Sequence, residues 1–203
     1  GGQIMMRAPI RRSFLWTLLA VNLVILPALL FLRFQTERQG RVRLLPVVGK
    51  VAEFRLTDQN GKTVTAETLK GSPWVANFMF TRCPGQCPAM NAKMSALQGR
   101  LPPGIRFVSF TVDPAHDTPA VLSEYARRFY PEKDRWFFLT GPKESTDKVL
   151  SNFHLNNSDD PGLHTFRFVF IDKNGAIRGY YDSLNDQAVD QLVQDAWYLA
   201  SGK

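Results

Sequence analysis

From about residue 51 onward, apolar runs of strand length alternate with segments of helical periodicity, and this alternation limits the possible folds more than any other feature. WVANFMF (74–80) and IRFVSFTV (105–112) are mostly apolar, as strands covered on both faces must be. Between them, Met90, Met94, Leu97 and Leu101 recur at helical spacing over 87–101, and Pro102-Pro103 ends the run. Thr118-Pro119 offers an N-cap and a proline for the first position of a helix reaching to about Tyr130. WFFLT (136–140) reads as a short strand and 143–154 as a helix. TFRFVFID (165–172) and AIRGYYD (176–182) flank Lys173-Asn174-Gly175 and predict a hairpin, followed by an amphipathic helix over 185–200. VAEFRL (51–56) and KTVTA (62–66) flank Gln59-Asn60-Gly61 and predict another hairpin at the start. This periodicity predicts an α/β domain with a mixed sheet.

Residues 14–32, FLWTLLAVNLVILPALLFL, are apolar except for Thr17, Asn22 and Pro27. A helix of that length spans about 28 Å, close to the hydrocarbon thickness of a bilayer. The run is longer than the apolar region of a signal peptide and no small-residue cleavage site follows it, so a retained transmembrane anchor is expected. The predicted division is a cytoplasmic tail (1–13), the anchor (14–32), a tether (33–47) and the α/β domain (48–203). A short N-terminal tail with a large C-terminal domain predicts a single-pass inner-membrane protein whose domain faces the periplasm or another extracytoplasmic side.

The net charge of +7 raises the question of nucleic acid. Residues 1–50 carry eight Lys/Arg and one acid, Glu37, which leaves 17 basic and 17 acidic residues in 51–203. The domain is neutral, so the basic face that nucleic-acid binding requires is not expected.

Cys83 and Cys87 are the only cysteines. A bridge between residues this close stabilises little, so the pair points to redox or metal chemistry. Phe80-Thr81-Arg82-Cys83-Pro84-Gly85-Gln86-Cys87-Pro88 lies between a buried strand and a helix start. Unpaired N–H groups and the positive end of the helix dipole favour thiolate there. Positions i and i+4 are neighbours on a helix, so both sulfurs can share a face, close a disulfide or hold one ion. Two sulfurs with an imidazole suit copper and also zinc.

Three histidines are available. His154 lies in the polar stretch NFHLNNSDD and reads as a surface residue. His116, in the loop Asp113-Pro114-Ala115-His116-Asp117, is placed to bond a neighbouring carboxylate. Parallel βα units closed by a hairpin and a helix fit a thioredoxin-like architecture with an N-terminal hairpin extension. In such a sheet the loop leading into TFRFVFID faces the cysteine-bearing helix start, which makes His164 the preferred third ligand.

These residues resemble the Sco/SenC family over roughly 48–200. The family pattern of an apolar strand followed by C-P-x-x-C-P is matched from Phe78 to Pro88. Val112-Asp113-Pro114-Ala115-His116-Asp117-Thr118-Pro119 is similar to the family's V-D-P-x-x-D-T-P, and His164 precedes a strand ending at Asp172-Lys173-Asn174-Gly175. The resemblance implies one copper ion, Cu(I) or Cu(II), bound by Cys83, Cys87 and His164, with Asp113 and Asp117 supporting the site from behind. It implies delivery of copper to the CuA subunit of cytochrome c oxidase or another copper protein, or reduction of the CuA cysteines, with a thiol–disulfide reductant as a further partner.

Two other functions compete. One is a membrane-anchored thiol–disulfide oxidoreductase using Cys83 and Cys87 as its redox pair. Ordinary oxidoreductases of this fold carry a proline where His164 stands, which argues against broad disulfide exchange. The other is a redox or copper sensor. A peroxidase reading is weaker, because Thr81 stands two residues before Cys83 rather than three.

Overall fold

A computed structural model describes residues 23–29, 45–153 and 166–201. Residues 23–29 are helical (α1) with exposed side chains, and the rest of the predicted anchor lies outside the described residues. Among the described residues no helix is long and apolar enough to cross a membrane. Residues 1–44 and 45–203 form separate compact units.

The second unit is built on an eight-stranded mixed sheet in the order β1-β8-β7-β4-β5-β6-β2-β3. Its strands are β1 (Gly49–Lys50), β2 (Arg55–Asp58), β3 (Thr63–Thr65), β4 (Trp74–Met79), β5 (Arg106–Thr111), β6 (Trp136–Thr140), β7 (Arg167–Ile171) and β8 (Ala176–Asp182). Its helices are α2 (Ala66–Leu69), α3 (Gln86–Gln98), α4 (Pro119–Ala126), α5 (Lys143–Asn152) and α6 (Asp186–Ala200). β4, β5 and β6 are parallel neighbours joined through α3 and α4, while β7 and β8 run antiparallel beside β4. The predicted mixed sheet and helix order are therefore present.

Helices cover both faces, which explains why the central strands are apolar throughout. Successive side chains of a strand point to opposite faces. Along β4, Val75 and Met79 join a cluster with Met90, Met94, Leu122, Leu192 and Ala196 from α3, α4 and α6. Trp74, Ala76 and Phe78 join the opposite cluster with Leu69 of α2, Val149 of α5 and Phe153. There Phe78 stacks on Phe110 with ring centroids 5.4 Å apart and meets Phe153 edge-on at 5.3 Å.

The first hairpin differs from its expected bounds. Residues 51–54 are irregular, and the strand is β2, starting at Arg55. Val51 and Phe54 are buried because they cover the second cluster, so their apolar pattern reflects packing rather than strand pairing. β2 is positioned by β6, with Thr57 opposite Thr140 and Asp58 opposite Leu139. Asp58 accepts the N–H groups of Asn60 and Lys62, both at 2.8 Å, and Gly61 turns the chain at φ +78°. Only a residue without a Cβ adopts that conformation freely. The second expected strand shortens to Thr63–Thr65, and Thr65 then caps α2 by accepting the N–H of Thr68 at 3.1 Å.

Candidate functional site

β4 delivers the chain to the cysteine loop, and α3 carries it away. Gly85 stands at the N-cap of α3 and offers no side chain to the helix. The first N–H groups of a helix have no partner within it. Here the N–H of Cys87 donates to Sγ of Cys83 at 3.4 Å, so a sulfur takes the capping role. Pro88 sits in the first turn, where a proline removes no helical hydrogen bond. The N–H of Cys83 donates to the carbonyl of Phe80 at 3.2 Å and closes the loop. Both cysteines are free thiols; Cys83 is half-buried and Cys87 fully buried.

Their environments separate their chemistry. Burial works against ionisation of Cys83, but hydrogen bonds with the Cys87 thiol and with the N–H groups of Gly85, Cys87 and Gln86 outweigh it, and its pKa falls below the ordinary thiol value. Burial and then the bond to Cys83 push Cys87 up to about 12. The site therefore holds one thiolate-prone sulfur at its surface and one protonated sulfur beneath it.

Two carboxylates fix the residues ahead of Cys83. Asp117 is fully buried and accepts the N–H of Thr81 at 3.2 Å and its hydroxyl at 2.5 Å. It also accepts the hydroxyl of Thr111 at the end of β5. Asp113 pairs with Arg82 at 2.6 Å. Both aspartates thus hold the segment Thr81-Arg82, and Asp117 also ties it to Thr111. His116 is exposed, and its ring bonds no carboxylate among the described residues. His154 and His164 lie outside the described residues. Among the described residues no three His, Cys, Asp or Glu side chains converge as a metal site.

Beneath the cysteines runs a polar chain that the sequence reading did not single out. Asn77 of β4 donates to Asn91 at 2.7 Å, and Asn91 donates to the hydroxyl of Tyr125 at 3.0 Å. All three side chains are buried. Two signals were present in the sequence: an asparagine inside the apolar run WVANFMF, and a polar residue four positions after Cys87.

The geometry agrees with known proteins. A family model described as SCO1/SenC matches residues 48–196. The SCO1 protein homolog of Bacillus subtilis is 32% identical over 159 residues, covering 74% of this chain and 82% of the relative. The structure of BsSco, described as a member of the Sco family of cytochrome c oxidase assembly proteins with a disulfide switch, matches at a TM-score of 0.66 and 29% identity, covering 78% of this chain and 97% of that one. Yeast Sco1 with copper bound matches at 0.61 and 26% identity, covering 74% and 92%.

Proposed function

Because the chain belongs to the SCO1/SenC family, we propose that it is a copper-binding chaperone whose cargo ion is held by Cys83, Cys87 and His164. The observation that carries this reading is the cysteine pair itself: Cys83 in the loop after a buried strand and Cys87 in the first turn of α3, joined by a backbone N–H donated to Sγ of Cys83. Two soft sulfurs and an imidazole are a donor set suited to copper. The copper-bound yeast relative supports the choice of metal.

Sheet register supports His164 as the third ligand. β7 pairs antiparallel with β4, with Ala76 opposite Val169, so β7 begins at the end of the sheet where β4 finishes. Phe166 packs on the same cluster as Phe80 and Cys83. His164 precedes Phe166 by two residues in the sequence.

In this reading Cys83, already biased toward thiolate, takes the ion first. Cys87 releases its proton as its sulfur joins. Three protein ligands leave room for a recipient's ligand, so the ion can pass on by exchange. The recipient is the CuA site of cytochrome c oxidase or another copper protein, and residues 14–32 anchor the domain on the extracytoplasmic side of the membrane.

A second reading, thiol–disulfide exchange, is favoured by the split in thiol chemistry and by the disulfide switch of BsSco. The Cys83 thiolate attacks a partner's disulfide, forming a mixed disulfide and releasing one partner thiolate. Cys87, losing its proton, then attacks Sγ of Cys83 and expels the second partner thiolate. Two electrons pass to the partner and Cys83–Cys87 becomes a disulfide, which a separate thiol reductant would reset.

Copper stoichiometry of the compact unit 45–203, reduced and anaerobic, tests the first reading. One tightly held ion is expected in the parent, with strong loss in Cys83→Ala and His164→Ala. Unchanged stoichiometry in both variants would sink it and leave the dithiol reading.

A further inference from the structure

On the cysteine loop, along α3 and through the turn after α4, carboxylates match the cations with one exception. Arg82 pairs with Asp113 at 2.6 Å, Lys93 with Asp186 at 2.7 Å and Arg100 with Asp190 at 2.6 Å. Arg127 pairs with Glu124. Arg128 is exposed and has no carboxylate partner among the described residues. Its guanidinium lies over the Tyr125 ring, 5.8 Å from the centroid, within cation–π reach. The ring is itself held in place: Tyr125 is buried, and its hydroxyl accepts an N–H of Asn91 at 3.0 Å.

Arg128 and Tyr125 line a groove of about 380 Å³ whose other walls are Thr81, Ala120, Val121 and Glu124. Thr81 stands two residues before Cys83, so the groove reaches the segment that carries the outer sulfur. Ala120 and the half-buried Val121 give it an apolar stretch. Glu124 is its one acid and is taken by Arg127, which leaves Arg128 as the uncompensated charge. A recipient that takes an ion from Cys83 by ligand exchange must come within bonding distance of that sulfur, and it then covers what lies beside the loop.

We propose that the groove between the cysteine loop and α4 is the docking surface for the copper recipient, taking an acidic segment whose carboxylate pairs with Arg128 and whose apolar side chain rests on Ala120 and Val121. The proposal rests on the copper-delivery reading. Arginine and tyrosine are the residue types that most often carry interface energy. An arginine already held over a ring loses less freedom when it pairs. Opposite charge also speeds encounter, which suits a complex that must form, pass its ion and separate.

The test is the affinity of the whole copper-loaded chain, in detergent, for the copper-free CuA domain of cytochrome c oxidase, measured by titration calorimetry. Arg128→Glu is expected to weaken binding at least about tenfold at low salt, with the gap narrowing as salt screens the pair. Val121→Glu sets a like charge against the acidic segment and is expected to act in the same direction. A carboxylate at this third position of α4, opposite the Thr118 cap, suits a helix start, so the fold is kept. Both variants are expected to hold as much copper as the parent. Lys173→Glu makes the same charge change in the β7–β8 turn, at the other end of the sheet, and should leave affinity within about twofold. Affinity unchanged within about twofold in Arg128→Glu or in Val121→Glu, or lowered as much by Lys173→Glu, overturns the proposal while the recipient reading stands. A dimer of the parent that Arg128→Glu dissolves would seat a second copy in the groove and overturn it too. A parent that takes up no copper, or that takes it up and does not bind the CuA domain, overturns the delivery reading and the proposal with it.

Discussion

The backbone N–H of Cys87 donates to Sγ of Cys83 at 3.4 Å, so one cysteine caps the helix that carries the other. The two sulfurs therefore differ in accessibility and in acidity although they are four residues apart. The outer sulfur gains from the helix terminus, while the inner one is held as a thiol by the cluster around Met90 and Met94.

That difference predicts selective chemistry. At neutral pH, iodoacetamide should label Cys83 at least tenfold faster than Cys87, because thiolate is the reactive form. Peptide mass mapping over time distinguishes the two sites. In Cys83→Ser, labelling at Cys87 should stay slow until strongly alkaline pH, in line with its value of about 12. Equal labelling rates in the parent would contradict the assignment.

Asp117 is the clamp on the cysteine loop. Asp117→Asn keeps the shape but loses the charge and half of the acceptor capacity that serves Thr81 and Thr111. A cost of about 1–3 kcal/mol is expected, the usual range for leaving a buried polar group unsatisfied. Urea unfolding measures it, and the Cys83 labelling rate should change as well because Thr81 is two residues away. A variant as stable as the parent would show that the clamp carries no weight.

Asp172 gives the fold an acid-side dependence. Burial opposes its ionisation. The N–H groups of Ala176 and Asn174 and the guanidinium of Arg178 outweigh burial and hold its pKa below the usual carboxylate value. A carboxylate with a lowered native pKa stabilises the fold fully above its unfolded value, about 3.9. The contribution is lost as pH falls through the lower native value. Asp172→Asn should therefore be less stable than the parent at pH 7, with the gap narrowing as the pH is lowered below about 4. Unfolding midpoints of both proteins across that range decide the point; a gap constant with pH would refute it.

Much of the fold was legible because its signals are local. The body of α3 follows from Met90, Met94 and Leu97, though it ends at Gln98 rather than 101. The start of α4 follows from Thr118-Pro119, with the Thr118 hydroxyl accepting the N–H of Val121 at 3.4 Å, though α4 ends at Ala126 and a 3-10 turn carries the chain over Arg127–Phe129. The turn at Lys173-Asn174-Gly175 joins β7 to β8 as expected, with Gly175 at φ +80°. The bounds of the first hairpin were not legible. Val51 and Phe54 look like strand residues, but β6 lies some eighty positions away and decides where pairing begins. β1 escaped notice for the same reason, since Gly49 and Lys50 become a strand only by pairing with Ile177 and Ala176 of β8.

At the site, the sequence by itself determined the chemistry on offer: two sulfurs four residues apart, placed between an apolar strand and a helix start. Those facts depend on neighbours within a few residues, where spacing and periodicity are informative. Only the tertiary structure decided how the sulfurs differ and what stands behind them. Asp117 reaches Thr81 across 36 positions, and Tyr125 reaches Asn91 across 34. Such contacts exist only once β4 and β5 lie side by side and α3 and α4 pack on the same face of the sheet. Burial and hydrogen bonding then set the acidity of each group, and both are properties of the assembled neighbourhood rather than of any segment within it.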